Sequence, residues 1–307
     1  MNESMYRYMD VGLIHFMAYP QTIKGEGPVL ETVREIAEDD YFTLIEITWI
    51  KDPAVREQVR DLLAQSGMKI AFGAQPALLT QKLSLNTTDE AERRRAVDQI
   101  KECIDEAYFM GARGLAVLAG RDPGEQARDA EKKLLVESLK ELCQYSASKG
   151  KMPIVLETFD RLPFGKNAII GPSIEAVEIA EKVKANCVNF GLMVDLSHLP
   201  LLSETATECI KTVKDHLVHV HIGNCAMRDP NHPAYGDEHP RFGIEGGEND
   251  VAELTEFLRA LLEGGYLKAG EPKPVSFEVK PIVASGETSA AIVANAKRAL
   301  NKAWALV

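Results

Sequence analysis

Eight times along its 307 residues the chain alternates a short apolar run with an amphipathic stretch of helical period, and this leaves few folds open. The apolar runs cover 11–18, 42–50, 69–75, 114–120, 153–159, 189–196, 217–223 and 275–280. They are rich in β-branched residues, and most lack strict alternation, as parallel strands buried on both faces do. The helical stretches cover 28–38, 53–65, 89–110, 123–149, 172–186, 203–215, 250–263 and 288–305. Asp52 stands as an N-cap before Pro53, and Gly111, Gly150 and Gly264–Gly265 follow helix ends. Each repeat takes roughly 30–40 residues, the length of one βα unit. The expected class is α/β, a single (β/α)8 TIM barrel over residues 1–307. A doubly wound sheet is the alternative, but Tyr19-Pro20-Gln21 is not the glycine-rich phosphate turn that usually follows the first strand of such sheets.

Composition narrows the function classes. A net charge of −11 is a poor footprint for nucleic acid, which needs basic surface. The first ten residues lack the basic-then-apolar order of a signal peptide, and no apolar run reaches membrane-spanning length. Cys103, Cys143, Cys187, Cys209 and Cys225 are odd in number and widely spaced, so neither a disulfide framework nor a zinc ribbon is expected. A cytoplasmic chain without nucleic-acid or membrane partners follows. One connection, 224–249, is too long for a plain turn and is dense in His, Asp, Arg, Gly and Pro. Loops beyond ~12–15 residues are usually lids or binding loops, and this one reads as lid-like.

The second half of the chain places metal-seeking side chains at strand ends. Glu157 closes PIVLE, Asp195 closes FGLMVD, His221 lies in LVHVHI and Glu278 lies in VSFEV. Two glutamates, one aspartate and one imidazole suit Mn²⁺, with Mg²⁺, Co²⁺ or Zn²⁺ as further choices. All four at the carboxyl ends of strands point to one site at a barrel mouth. His198, three residues after Asp195, can turn into the same mouth or stand as a satisfied loop histidine. Period two puts His219 on the face of His221, where it reads as a core histidine of a lower layer. Lys280 shares a face with Glu278 and reads as a substrate-oxygen ligand or a rim salt bridge. His15 reads equally as a substrate contact and a core imidazole. Glu46 reads as a hydrogen-bonding partner behind a metal ligand, Trp49 as a wall or a packing residue, and Gln75 as a further candidate for the site.

This set has a chemical rationale. A divalent ion can polarise a carbonyl and its neighbouring hydroxyl, easing removal of the adjacent C–H proton. Glu157 and Glu278 come from the fifth and eighth strands, far enough apart to flank a substrate as base and acid.

VLE, VDLSH, HVHIGN and FEV on the last four strands resemble the xylose-isomerase-like barrel superfamily. That group includes ketose 3-epimerases, inosose dehydratases, hydroxypyruvate isomerases and endonuclease IV. The resemblance implies one metal on Glu157, Asp195, His221 and Glu278, with Glu157 and Glu278 also as acid–base catalysts and His198 contacting the sugar. It implies a keto-sugar isomerase or epimerase and a homo-oligomer, while a non-catalytic sugar-binding barrel is the reading from another class. Two positions depart from the ketose 3-epimerases: Pro163 stands where they carry a substrate-binding glutamate, and Met227 where they carry an arginine, with Arg228 one later. Asp237-Glu238-His239 is similar to a zinc-binding motif of endonuclease IV. However, KIAFGAQ and GLAVLAG lack the two further histidines that enzyme needs, so Asp237, His239 and Arg241 are expected to bind sugar hydroxyls or stiffen the lid. LIHFMAYP and HPAYGDEHPRFG resemble the alpha subunit of bacterial C-glycoside deglycosidases. That likeness implies loss of the aglycone of a 3-oxo-C-glycoside by enolisation and β-elimination, with a small beta subunit as partner.

Overall fold

The computed structural model describes residues 3–161 and 164–307. Eight parallel strands close in chain order into a barrel: β1 (Met9–Ile14), β2 (Leu44–Ile47), β3 (Lys69–Gly73), β4 (Leu115–Leu118), β5 (Ile154–Glu157), β6 (Phe190–Asp195), β7 (Leu217–Gly223) and β8 (Lys273–Glu278). Closure by β1–β8 pairing settles the choice against a doubly wound sheet.

Helices cover the barrel because their apolar stripes need the outer faces of the strands. Val33, Ile36, Val59, Leu63, Ile100 and Ile104 pack into the same core as Val117, Leu156 and Val194. The caps are those the sequence advertises. Asp52 accepts from Ala54 N and Val55 N, and Gly67 closes Pro53–Ser66 in the left-handed region. Asp250 and Glu253 form a reciprocal box at the start of Val251–Glu263.

Period two divides each strand between that outer shell and the barrel interior. Ala116, Val155 and Met193 form a small separate cluster inside, one step below the ends of β4, β5 and β6. Next to them the interior turns polar, with Glu46, His219 and Ser276 buried. Gly12 on β1 faces Ser276 on β8, where an added Cβ would meet Ser276 Oγ at 2.3 Å and push that side chain aside.

The structure shifts three expected boundaries. The first run does not stay extended to residue 18, because pairing with β2 ends at Ile14 and His15–Ala18 coils into a helical turn. The third run stops at Gly73, and Gln75 opens a helix, Gln75–Gln81. The helical stretch expected at 203–215 is two pieces. His198–Leu202 follows β6 directly, Ser203 takes a φ of 57°, and Ala206–Val213 starts anew with Thr205 and Glu208 as its capping box.

The 224–249 connection contains no helix or strand, only bridges from Ala226 to Tyr235 and Gly236. It is tied down by Asn224, whose side chain accepts from Asn249 N at 2.7 Å and donates to Arg241 O at 2.9 Å. The five cysteines are buried and free. No helix among the described residues is long and apolar enough to cross a membrane.

Candidate metal centre

Strand register assembles the site. Asp195 pairs with His221 across β6 and β7, Gly223 pairs with Glu278 across β7 and β8, and Leu118 pairs with Glu157 across β4 and β5. Glu157, Asp195, His221 and Glu278 therefore reach the same end of the barrel. Each offers one donor atom within 4.8 Å of every other, and all four are buried.

The donors are held from behind. His221 Nε2 lies 3.1 Å and 3.2 Å from the two carboxylate oxygens of Glu46, which accept its proton. The other ring nitrogen, Nδ1, is thereby turned toward Glu278 Oε2 at 2.8 Å and Glu157 Oε1 at 3.4 Å. Glu46 also accepts from His219 Nε2 at 2.6 Å. His219 thus occupies the lower layer. Gln75 Nε2 donates to Glu157 Oε2 at 2.8 Å, and Ser197 donates its backbone N–H and its hydroxyl to the two oxygens of Asp195.

Against this support, three donor atoms are buried without a hydrogen bond: Glu157 Oε1, His221 Nδ1 and Glu278 Oε2. They stand close together but are not aligned to bond one another. Leaving such groups unsatisfied costs about 1–3 kcal/mol each. A divalent cation among them would satisfy all three, and the oxygen–nitrogen donor set fits one.

Electrostatics fit the same reading. Burial opposes charge on His221, but Glu46 foremost, then Glu157 and Glu278, hold its pKa well above the usual imidazole range. Burial pushes the Asp195 carboxyl up, and Glu278 adds to it. Burial would raise Glu278 as well, but His239 and His221 outweigh it and hold it low. Protonated imidazole is the positive charge that lets these acids share one space.

A second set adjoins the first. The Asp237 carboxylate is buried and accepts from Lys166 and His198, with His239 Nε2 2.7 Å away. Burial raises its carboxyl, but Lys166 and the two rings prevail and keep it ionised well below its ordinary range. His198 donates from Nδ1 to Thr158 O at 2.7 Å and from Nε2 to Asp237 Oδ1 at 3.0 Å. Burial resists that charge, but Asp237 prevails and carries the ring to about 10. Both nitrogens are taken, so in this arrangement His198 orients Asp237 and has none free for a sugar. His239 is also buried, at a φ of 49°, with Nε2 at 2.7 Å from Asp237 Oδ1 and 3.3 Å from Glu278 Oε1. Asp195, His198 and His239 also converge within 4.8 Å, as do Glu46, His219 and His221. In both sets hydrogen bonds already engage most donors, unlike the quartet.

Other residues picked out in the sequence lie at its edge or outside it. Lys280 forms a rim ion pair with Glu238, and Arg241 pairs with Glu287 at 3.1 Å. His15 is buried against Thr32 Oγ1 at 2.7 Å and beside the Tyr19 ring, in the place of a core imidazole. Trp49 donates to Ile23 O and carries Lys51 over its ring. Arg228, one residue past Met227, is 74% exposed and paired with Glu248. Pro163 lies outside the described residues. Lys166 and the buried Asp160 carry no motif that marks them in the sequence. Their only sequence signal is a pair of charges in the loop after a ligand-bearing strand.

A family model described as xylose isomerase-like TIM barrel matches residues 34–298. Solved structures similar to the chain include a D-psicose 3-epimerase from Clostridium cellulolyticum H10 with D-tagatose. It is 17% identical with a TM-score of 0.70, over 96% of this chain and 98% of that one. An L-ribulose 3-epimerase is 18% identical with a TM-score of 0.70, over 96% and 94%. An AP endonuclease, family 2, from Brucella melitensis is 19% identical with a TM-score of 0.67, over 93% and 97%. At these identities the likeness is one of fold. No curated protein sequence matches the chain.

Proposed function

The chain belongs to the xylose isomerase-like TIM barrel family, and from that premise we propose that it is a divalent-metal-dependent enzyme removing a proton next to the carbonyl of a keto sugar, as sugar isomerases and epimerases do. The observation that carries this reading is the quartet of Glu157, Asp195, His221 and Glu278, with three buried donor atoms lacking hydrogen bonds. Mn²⁺ is the ion proposed, with Mg²⁺, Co²⁺ or Zn²⁺ as alternatives that the mixed oxygen–nitrogen donors also accept. A bound ion would polarise the carbonyl and stabilise charge developing beside it.

The chain's own residues supply the proton transfer. Glu157 and Glu278 approach the mouth from strands three apart, so one takes the proton and the other returns it. Gln75 donates to Glu157 Oε2 and fixes the carboxylate in place. His198 holds Asp237 at the mouth, and His239 lies beside both Asp237 and Glu278. The substrate is a small sugar or glycoside.

The test is incubation of the Mn²⁺-loaded protein with D-fructose, D-tagatose and D-allulose in deuterated water. Deuterium at the carbon next to the carbonyl supports the reading, and Glu157→Gln and Glu278→Gln should each remove it. No incorporation with any of the three sugars would count against it.

The lyase reading, a C-glycoside deglycosidase alpha subunit with a small beta partner, shares this proton removal. It is favoured by one observation: Arg228, the arginine next to Met227, points outward to Glu248. A released aglycone in place of an isomeric sugar identifies it.

A further inference from the structure

The quartet occupies the ends of β5 to β8, and the facing half of the barrel mouth is left to β1 to β4. Two buried polar atoms there have no hydrogen bond among the described residues: Thr48 Oγ1, just past the end of β2, and Gln75 Oε1, two residues past β3. Glu46 points into the barrel, so period two turns Thr48 to the same side. Register carries that layer onward. Ile47 pairs with Phe72, and Gly73 pairs with Ala116, whose side chain lies inside, so Thr48, Gly73 and Ala116 stand at one level. Gln75 follows directly above and bonds Glu157. A carboxylate only accepts, so the amide turns its NH₂ end to Glu157 Oε2 and its oxygen away. That oxygen rests over the bare backbone of Gly73, where an added Cβ would meet it at 3.0 Å and the Phe16 ring at 2.8 Å.

Buried polar atoms without partners cost stability, and valine in place of Thr48 would fill the same volume without that cost. The two atoms are complementary in kind: an amide oxygen accepts, and a threonine hydroxyl donates or accepts. A secondary alcohol of a sugar can donate to the first and accept from the second. Because Gln75 Nε2 stands between Oε1 and Glu157, such an alcohol sits on the carbon beyond the C–H that Glu157 faces. We propose that Gln75 and Thr48 read the configuration of this hydroxyl, which in a 2-ketohexose losing its C3 proton is the one on C4. The proposal rests on the reading that Glu157 takes or returns that proton.

The test compares D-fructose with D-tagatose, which differ only at C4, by calorimetry on the Mn²⁺-loaded protein. One of the two should bind at least about tenfold tighter, since a site built to bond a hydroxyl rejects the sugar that misplaces it. Thr48→Val and Gln75→Met should each cut that ratio below about threefold, and Thr48→Ser, which keeps the hydroxyl, should retain it. Gln75→Met also frees Glu157, but that loss falls on both sugars alike and leaves their ratio unchanged. A second measurement needs no variant: in crystals soaked with the tighter sugar, its C4 oxygen should lie within about 3.2 Å of Gln75 Oε1. Binding of neither sugar, equal binding of the two, a ratio that either variant leaves unmoved, or a C4 oxygen placed elsewhere overturns the proposal. If the ratio behaves as expected but no sugar exchanges deuterium, the hydroxyl reading stands and the proton-removal reading falls. If exchange occurs with a ratio that the variants do not move, only the assignment of Gln75 and Thr48 falls.

Discussion

His221 and Glu46 face each other inside the barrel, with Nε2 of the ring 3.1 Å and 3.2 Å from the two carboxylate oxygens. The carboxylate accepts the Nε2 proton and thereby aims Nδ1 at Glu157 and Glu278. Removing such a partner typically costs 10–100-fold in metal affinity. Glu46→Gln should therefore weaken Mn²⁺ binding by about that factor, measured by competition with a chelating dye. Unchanged affinity would mean that Glu46 does not orient the ring.

Metal loading should release protons. In the ion-free protein Glu46 and the flanking glutamates hold His221 protonated well above the ordinary imidazole range. A metal needs the unprotonated nitrogen, so binding at pH 7 should expel about one proton per ion. Calorimetry in buffers of different ionisation enthalpy reads this number directly. A value near zero would contradict the charge assigned to His221.

The Lys166–Asp237 pair joins the loop after β5 to the loop after β7. The Asp237 side chain is buried and that of Lys166 mostly so. Lys166→Met would leave the carboxylate facing two histidines without its cation. Breaking a buried pair in this way costs about 3–5 kcal/mol, read from denaturant unfolding. Because His198 and His239 retain part of the compensation, the lower end is expected. Lys166→Met with Asp237→Asn should recover much of the loss. Equal stability of Lys166→Met and the wild type would mean that the pair contributes nothing.

His15 gives the fold an acid sensitivity. Burial lowers its pKa from 6.5 to about 3, so the folded ring stays neutral where the unfolded one takes a proton. The stability this group allows is present above pH 6.5 and is lost as pH falls toward 3. Replacing it by Gln should flatten the stability curve by up to about 1.4 kcal/mol per pH unit in that window. Parallel curves for the two proteins below pH 6 would refute the assignment.

Much of this architecture can be read from residue order alone. The eight apolar runs declare the barrel because strands covered on both faces need no alternation. The quartet stands out because Glu157 and Asp195 end apolar runs, where a charge needs a reason to be. Glu46 is legible as a partner for a ligand from its place inside an apolar strand. Less legible are the short elements. Gln75–Gln81 and His198–Leu202 are too brief to show a helical period, so Gln75 passes for a strand end and His198 for a loop residue. Lys166 is hidden for another reason: its partner Asp237 is 71 residues away, and only loop packing brings them together. His239 shows no local sign of its burial beside Glu278.

The most direct test is anomalous diffraction from crystals soaked in Mn²⁺. One peak is predicted among Glu157, Asp195, His221 and Glu278, at about 2.0–2.3 Å from a donor atom of each. Full occupancy elsewhere with that space empty, or no peak at all, would contradict the metal centre and the proton chemistry built on it.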